Sequence, residues 1–204
     1  MLVLFAPGCP GGQGSTESAT SSPVDSTSVY QVEFTTTKGV FVVEVNRDWA
    51  PRGADRFREL VTTGYFDDCS FFRIVPGFIV QFGINGDPAR TKEWSSKRFS
   101  DDPVLESNRA GTLVFATAGP GTRTTQLFIN LADNARLDKS GFSPFAKVVS
   151  GMDVVKSLYS GYGDGPSQGG SGPDQGRVTS QGATYLDANF PKLDKITKAR
   201  VLGQ

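Results

Sequence analysis

Histidine is absent from the 204 residues of this chain, and its absence excludes several mechanisms. Without an imidazole there can be no Ser-His-Asp or Cys-His nucleophilic site, no HExxH zinc site and no histidine general base. The two cysteines, Cys9 and Cys69, are too few for a disulfide framework or a cysteine-rich zinc site. The sequence therefore predicts no metal site and no cofactor.

Net charge and long apolar runs are missing as well. The 21 basic residues equal the 21 acidic ones, so the chain as a whole has no field that would attract nucleic acid. The apolar run at residues 2–6 is far shorter than the ~18 residues that a membrane span needs, so no transmembrane helix is expected. Hydrophobic residues make up 37% of the chain, which together with the 24 glycines is the ordinary apolar share of a globular protein.

The first 28 residues are predicted to lie outside the folded domain. Residues 10–28 are mostly glycine, serine, threonine and proline, which have little surface to bury and indicate a flexible linker. Residues 2–9 resemble the end of a bacterial lipoprotein signal, with Cys9 as the residue that would carry the lipid. This interpretation favours the bacterial cell envelope, periplasmic or lipid-anchored. The alternative is a disordered leader with an incidental cysteine, on a cytoplasmic protein.

The remaining residues, 29–204, are predicted to form one mostly β domain. Apolar and polar residues alternate at residues 30–35 and 41–45, on either side of a turn that contains Gly39, which predicts a hairpin. Six further short β-like runs lie at residues 71–75, 78–82, 112–117, 126–131, 144–149 and 195–202. Eight short strands favour a barrel or a sandwich.

Two segments have a helical period, at residues 50–61 and 152–159, and two helices could close the two ends of a barrel. Residues 163–182, within a segment at about 160–192, are rich in glycine, serine and proline. That composition predicts a long surface loop on a domain that is already complete.

Four segments of the chain resemble sequence motifs of one family. Residues Phe71-Phe-Arg-Ile-Val-Pro-Gly-Phe-Ile-Val-Gln81 resemble the cyclophilin motif F-x-R-I-x-P-x-F-x-x-Q. Three more cyclophilin-like segments follow in the family's order: Ala116-Thr-Ala-Gly-Pro120, Thr125-Gln-Leu-Phe-Ile129, and Leu137-Asp138 with Gly141-Phe-Ser-Pro-Phe145. The resemblance covers roughly residues 30–202. It implies a mainly β fold, a closed eight-stranded antiparallel β-barrel capped by two α-helices, and the segment at 160–192 looks like a bacterial-type extension.

The same resemblance implies an enzyme, a peptidyl-prolyl cis-trans isomerase that accelerates rotation about X-Pro bonds and assists protein folding. Its partners would be proline-containing peptides and unfolded or partly folded client proteins. An X-Pro bond resists rotation by ~20 kcal/mol, and in the twisted transition state the prolyl nitrogen regains a lone pair. A fixed guanidinium can donate to that lone pair more strongly than to the planar ground state, so the reaction needs neither a nucleophile nor a metal.

The resemblance assigns roles to particular residues. Arg73 is the predicted catalytic donor, Gln81 would orient it from eight residues further along the chain, and Phe78 completes the catalytic group. An apolar slot for the proline ring would be lined by Ile79, Phe128, Leu137 and Phe142. Substrate backbone contacts are expected from Ala116, Thr117 and Ala118, with a side-chain contact from Gln126 and a rim position at Arg136.

Three positions depart from the common family pattern. Phe142 and Phe72 stand where many members have histidine, and we expect Phe72 to face away from the site. Arg136 stands where members that bind cyclosporin resemble each other in having tryptophan. Because a guanidinium replaces neither the indole donor nor its flat apolar face, weak cyclosporin binding is expected.

Two alternatives to catalysis remain at this stage. The same barrel could be a non-catalytic module that docks proline-containing peptides, although docking alone would not require Arg73. A small-molecule carrier would need a hollow barrel, whereas fifteen phenylalanines favour a filled interior.

Overall fold

The structure is a computed structural model that describes residues 28–203. The predicted leader with Cys9, and the linker up to residue 27, lie outside the described residues. Eight strands form the body of the fold: β1 (Val29–Thr36), β2 (Gly39–Asn46), β3 (Arg73–Val75), β4 (Ile79–Phe82), β5 (Thr112–Phe115), β6 (Leu127–Asn130), β7 (Pro144–Ser150) and β8 (Ile196–Val201).

The first hairpin follows from the alternation in its sequence. Tyr30 pairs with Val45 and Thr36 with Gly39, across a turn of two residues. Gly39 has a φ of +137°, which an L side chain rarely adopts, so the tight return of the chain depends on glycine here. The alternation buries every second side chain, including Phe34 and Phe41, on the inner face of the sheet.

The eight strands form one antiparallel sheet in the order β3-β4-β6-β5-β7-β2-β1-β8. The prediction of a closed barrel is wrong, because the edge strands β3 and β8 do not pair with each other. A single bridge between Ser70 and Lys195 links the chain just before these strands. The three-residue strand β3 is too short for a ladder to β8, and the fold is an open, curled half-barrel.

Four α-helices, rather than the predicted two, accompany the sheet in the described part of the chain: α1 (Pro51–Thr62), α2 (Pro88–Ser95), α3 (Met152–Ser157) and α4 (Gln175–Asn189). Two 3-10 turns lie at Ala135–Ser140 and Pro166–Gln168. The predicted helices correspond to α1 and α3. None of the helices described between residues 28 and 203 is long and apolar enough to cross a membrane.

Helices α2 and α4 begin at residues that cap a helix well. Asp87 accepts a hydrogen bond from the backbone of Ala89 over 2.8 Å, and Asp174 accepts one from Arg177 over 2.8 Å. Helix α4 therefore occupies half of the segment at 160–192, and the prediction of a continuous surface loop there is wrong. Glycine and serine lower the helical signal in the sequence, whereas apolar packing against Phe72 and Ile84 stabilises the helix.

The interior of the half-barrel is filled with aromatic rings. Phe34 stacks on Phe41 with ring centroids 4.9 Å apart, and Phe57 of α1 lies 5.1 Å from Phe145. All four side chains are fully buried, which leaves no hollow in this region for a carried molecule. A second apolar cluster, Phe72, Ile84, Val178, Tyr185 and Leu186, holds α4 against the residues that precede β3 and follow β4, so Phe72 faces α4.

Candidate active site

Strand alternation places the predicted site residues on the outer face of the sheet. In β4, Val80 and Phe82 enter the core, while Ile79 and Gln81 face the other side. In β6, Phe128 lies opposite Gln81 in the ladder. The site is therefore built on paired strands, which hold their side chains more rigidly than a loop would.

Polar side chains form a hydrogen-bonded chain across the site. Arg73 and Gln81 are partners in the β3–β4 ladder, and Nη1 of Arg73 donates to Oε1 of Gln81 over 2.9 Å. Nε2 of Gln81 in turn donates to Oε1 of Gln126 over 2.9 Å. Gln81 is only 5% exposed, so both ends of its amide are occupied by protein partners. This chain anchors the Arg73 guanidinium at Nη1.

An apolar group lies beside this chain. Buried Ile79, Val114 and Phe128 form its floor, and the partly buried residues Phe78, Ala116, Leu137 and Phe142 pack against them. The rings of Phe128 and Phe142 meet edge to face at 5.5 Å. Together with Arg73 and Gln81 they enclose an open pocket of about 350 Å³, which is large enough for a proline ring and its neighbouring peptide units.

The segment Ala116, Thr117 and Ala118 lines the same pocket, but two of its backbone amides are already used. The Ala116 amide donates to the Gln126 carbonyl over 2.9 Å, and the Ala118 amide donates to the Thr122 hydroxyl over 3.0 Å. Of the backbone groups predicted to bind a peptide, the three carbonyl groups and the Thr117 amide therefore remain candidates.

A partly buried hydrogen-bond network supports the apolar wall beside Phe142. Asp138 accepts hydrogen bonds from the Ser107 hydroxyl at 2.6 Å and from the Asn108 side chain at 2.7 Å. Asn108 also donates to the carbonyl of Phe142 over 2.8 Å. Burial acts to raise the pKa of Asp138, but the bonds from Ser107 and Asn108 outweigh it and hold this pKa below its ordinary value.

Among the predicted site residues that lie between residues 28 and 203, Arg136 alone does not line the pocket. Its guanidinium instead lies over the ring of Phe78, with its central carbon 4.8 Å from the ring centroid. A cation above an aromatic face is attracted by the ring quadrupole. Arg136 therefore contacts the site through Phe78.

Several pocket residues were not predicted from the sequence. Thr122, Thr124, Gln168 and Gln175 line it, and Asp164 forms an ion pair with Arg73. The last three come from the glycine-rich segment, whose composition carries no periodic pattern that would relate it to a strand far away in the chain. Between residues 28 and 203 no group of three or more cysteine, aspartate or glutamate side chains is placed to hold a metal ion.

Comparisons with known proteins agree with this geometry. The sequence model of the family "Cyclophilin type peptidyl-prolyl cis-trans isomerase/CLD" matches residues 31–180. Relatives include peptidyl-prolyl cis-trans isomerase-like 1 of Gibberella zeae, 37% identical over 129 residues, which cover 60% of this chain and 77% of the relative. Peptidyl-prolyl cis-trans isomerase CYP18-2 of Arabidopsis thaliana is 38% identical over 134 residues, which cover 63% of this chain and 79% of the relative.

A solved structure shares the fold. The cyclophilin type peptidyl-prolyl cis-trans isomerase of Cryptosporidium parvum aligns with a TM-score of 0.61 at 21% identity, covering 86% of this chain and 99% of its own. A second structure of that protein was determined in the presence of the dipeptide Ala-Pro.

A curled antiparallel sheet with an arginine beside an apolar pocket on its outer face defines a class of proline-directed isomerases. This chain belongs to the cyclophilin-type peptidyl-prolyl cis-trans isomerase family. It is accordingly an isomerase, as predicted from its motifs. The narrower expectation of a bacterial-type member is not shown, because the relatives named here are eukaryotic.

Proposed function

We propose that Arg73 is the catalytic donor of this isomerase and that the pocket beside it holds the proline ring. The proposal is carried by one observation: a charged donor and an apolar surface face the same pocket. A guanidinium held by Gln81 at 2.9 Å faces the same space as the apolar group around Phe128 and Phe142. This is the combination that rotation about an X-Pro bond requires.

The proposed mechanism has no covalent step. The proline ring enters between Ile79, Leu137 and the two phenylalanine rings, where it loses apolar contact with water. As the bond twists, amide resonance is lost and the prolyl nitrogen becomes a hydrogen-bond acceptor. Arg73 donates to this nitrogen only in the twisted state, which is the differential binding that lowers a barrier. Each ~1.4 kcal/mol gained in this way accelerates rotation about tenfold.

The guanidinium has a donor left for this task. Nη1 is bonded to Gln81 and Nε to Asp164, while Nη2 makes no hydrogen bond to the described residues. Gln126 accepts from Gln81 through Oε1, so its amide nitrogen can donate to a substrate carbonyl. Gln126 would thus hold a carbonyl of the substrate in place while the X-Pro bond rotates.

The decisive experiment measures isomerisation of a model X-Pro peptide by exchange spectroscopy. Replacing Arg73 by alanine should lower kcat/KM about 100- to 1000-fold, as loss of a transition-state donor does elsewhere. Arg98→Ala, at an exposed arginine outside the pocket, is the matched control and should have no effect. Equal activity of the Arg73→Ala variant and the native protein would overturn the proposed role.

The same experiment separates catalysis from docking. If Arg73 acts in the transition state, the Arg73→Ala variant still binds the peptide with a dissociation constant close to the native one. A non-catalytic docking module would show no acceleration in either protein. Binding by both proteins without isomerisation by the native one would therefore favour docking.

We further propose that the physiological substrates are X-Pro segments of unfolded or partly folded client proteins. The pocket opens at the surface and is lined by polar groups on one side and apolar groups on the other, which suits an extended chain better than a buried small molecule. A client whose refolding is limited by proline isomerisation should refold faster with the native protein. Adding the Arg73→Ala variant instead should leave the rate of the client's slow refolding phase at its value without any isomerase.

We also propose a lipid anchor at Cys9, supported by the apolar run and small residues that precede it. This would tether the isomerase to a bacterial envelope. Mass spectrometry of the protein from its natural source tests the proposal, and finding Cys9 unmodified would overturn it.

A further inference from the structure

The segment between α3 and α4 reaches the pocket and places a carboxylate against the proposed catalytic arginine. Oδ1 of Asp164 accepts a hydrogen bond from Nε of Arg73 over 2.5 Å, although the two residues are 91 positions apart in the sequence. Gln168 and Gln175 of the same region line the pocket. This segment is therefore part of the site.

Asp164 and Gln81 hold the guanidinium at two of its three nitrogens. Nε is bonded to Asp164 and Nη1 to Gln81, so the planar group cannot turn about its last side-chain bonds without breaking one of the two contacts. The side chains of Arg73 and Asp164 are only 15% and 29% exposed. Because water screens such a pair less than it screens a pair at the surface, the contact is strong enough to fix an orientation.

We propose that Asp164 is a positioning residue for isomerisation, acting through Arg73. The inference rests on the proposed role of Arg73 in catalysis. Asp164 binds Nε, a nitrogen that the mechanism does not use. Because the guanidinium is planar, fixing Nε and Nη1 also fixes the direction in which Nη2 points. Gln81 alone would leave the plane of the guanidinium free to rotate about a single hydrogen bond.

The backbone around Asp164 is packed closely enough to hold the carboxylate in place. The Gly172 amide donates to the Asp164 carbonyl over 2.8 Å. A Cβ atom added at Gly170 would lie 2.0 Å from the same carbonyl oxygen, so the turn closes on itself only because residue 170 is glycine. The glycines that suggested a loose loop therefore permit a compact turn.

Aromatic contacts tie this turn to the rest of the domain. The ring of Tyr162 lies 5.0 Å from the ring of Tyr159 and 5.0 Å from that of Phe190, after the end of α4. The Tyr159 amide donates to Asp194 over 2.7 Å, and Asp194 also accepts from Thr37 in the β1–β2 turn. The segment that carries Asp164 is thus anchored on both sides.

A carboxylate beside the donor has a second effect, of opposite sign. It partly neutralises the guanidinium and so weakens its attraction to the developing lone pair. If this charge effect dominated, Asp164 would restrain the enzyme and its removal would raise kcat. If orientation dominates, as proposed, its removal lowers kcat. The sign of the change therefore decides between the two.

The experiment compares Asp164→Ala and Asp164→Asn in the full-length protein, with kcat and KM for a model X-Pro peptide determined separately. Asp164→Ala should lower kcat about tenfold and change KM less than twofold, because the variant loses orientation and not substrate contact. Asp164→Asn keeps an oxygen that can accept from Nε, and should recover kcat to within about threefold of the native value. Ser171→Ala, an exposed change in the same segment, is the matched control.

The second arm repeats Asp164→Ala in an Arg73→Ala background. A residue that acts only through Arg73 has no further effect there, whereas a general structural role would lower activity by the same factor in both backgrounds. An unchanged or raised kcat in the single variant, or an equal loss in both backgrounds, overturns the inference. If Arg73→Ala alone retains native activity, the proposed role of Arg73 has failed first, so the two failures are distinguishable.

Discussion

The guanidinium of Arg136 lies over the ring of Phe78, with its central carbon 4.8 Å from the ring centroid, and contacts the pocket through that ring. In the family pattern, members that bind cyclosporin resemble each other in having tryptophan at this position. A charged, hydrated group stands here instead of an indole ring. The contact leaves one face of the Phe78 ring covered by a cation.

The native protein should therefore bind cyclosporin weakly, with a dissociation constant well above the nanomolar range. Arg136→Trp should tighten binding about 10- to 100-fold, because it supplies an indole donor and a flat apolar surface. Titration calorimetry of both proteins measures this difference. A nanomolar constant for the native protein would contradict the prediction.

Gln81→Met should lower kcat/KM about tenfold while keeping the volume of the side chain. The variant removes the acceptor for Arg73 and the donor to Gln126, both at 2.9 Å in the native structure. Gln181→Met, at an exposed position on α4, is the control and should match the native protein. Native kinetics in the Gln81→Met variant would show that Arg73 is oriented without Gln81.

Asp138 should make the protein less stable in acid. Its folded pKa lies below the ordinary value of about 3.9, so its contribution to the free energy of unfolding is present above pH ~4 and is lost as the pH falls through the folded pKa. Asp138→Asn should therefore flatten the decline of stability below pH ~4. Urea unfolding at a series of pH values measures the slope, with the exposed Asp153→Asn variant as control. Parallel profiles for native protein and Asp138→Asn would refute the linkage.

Arg123 should be essential for stability although it lies behind the pocket. Its side chain is 1% exposed, its Nε lies 3.1 Å from Asp101, and Nη2 donates to the Gly141 carbonyl over 2.5 Å. Burial lowers the pKa of Arg123, while the charges of Asp101 and Asp102 oppose that shift. Arg123→Met would remove the buried cation beside Asp102, which keeps Arg52 at 3.8 Å, and beside the partly exposed Asp101, at a cost of up to about 3–5 kcal/mol.

Urea unfolding of Arg123→Met tests this cost, and Arg98→Met at an exposed position provides the comparison, with an expected change within about 0.5 kcal/mol. Because Gly141 precedes Phe142 of the pocket wall, KM for an X-Pro peptide should rise as well. A loss below about 1 kcal/mol would mean that the ion pairs contribute little beyond their desolvation cost.

Short sequence patterns predicted those elements whose structure depends on residues close together in the chain. The hairpin of β1 and β2 follows from alternation, and α1 follows from a helical period opened by Pro51. The motif between Phe71 and Gln81 indicated the family, which the comparisons show. In each case the signal lies within about a dozen residues and reflects one repeating geometry.

The open edge of the sheet and helix α4 could not be predicted in this way. Closure depends on whether β3 and β8, more than a hundred residues apart, meet in register. The two strands do not pair, and the isolated bridge between Ser70 and Lys195 lies just before both of them. Helix α4 is stabilised by burial of Val178 and Leu186 against Phe72 and Ile84, which outweighs a composition that favours a loop.

The sequence by itself determined the family, through its motifs, and the aromatic filling of the interior, through its fifteen phenylalanines. The eight-residue offset from Arg73 to Gln81 also allowed the two side chains to meet on one face of paired strands, because side chains alternate along a strand. Only the tertiary structure decided that Asp164 meets Arg73. That contact arises where a glycine-rich turn is folded back by packing of Tyr162 against Tyr159 and Phe190, and no periodic pattern relates residues so far apart in the chain.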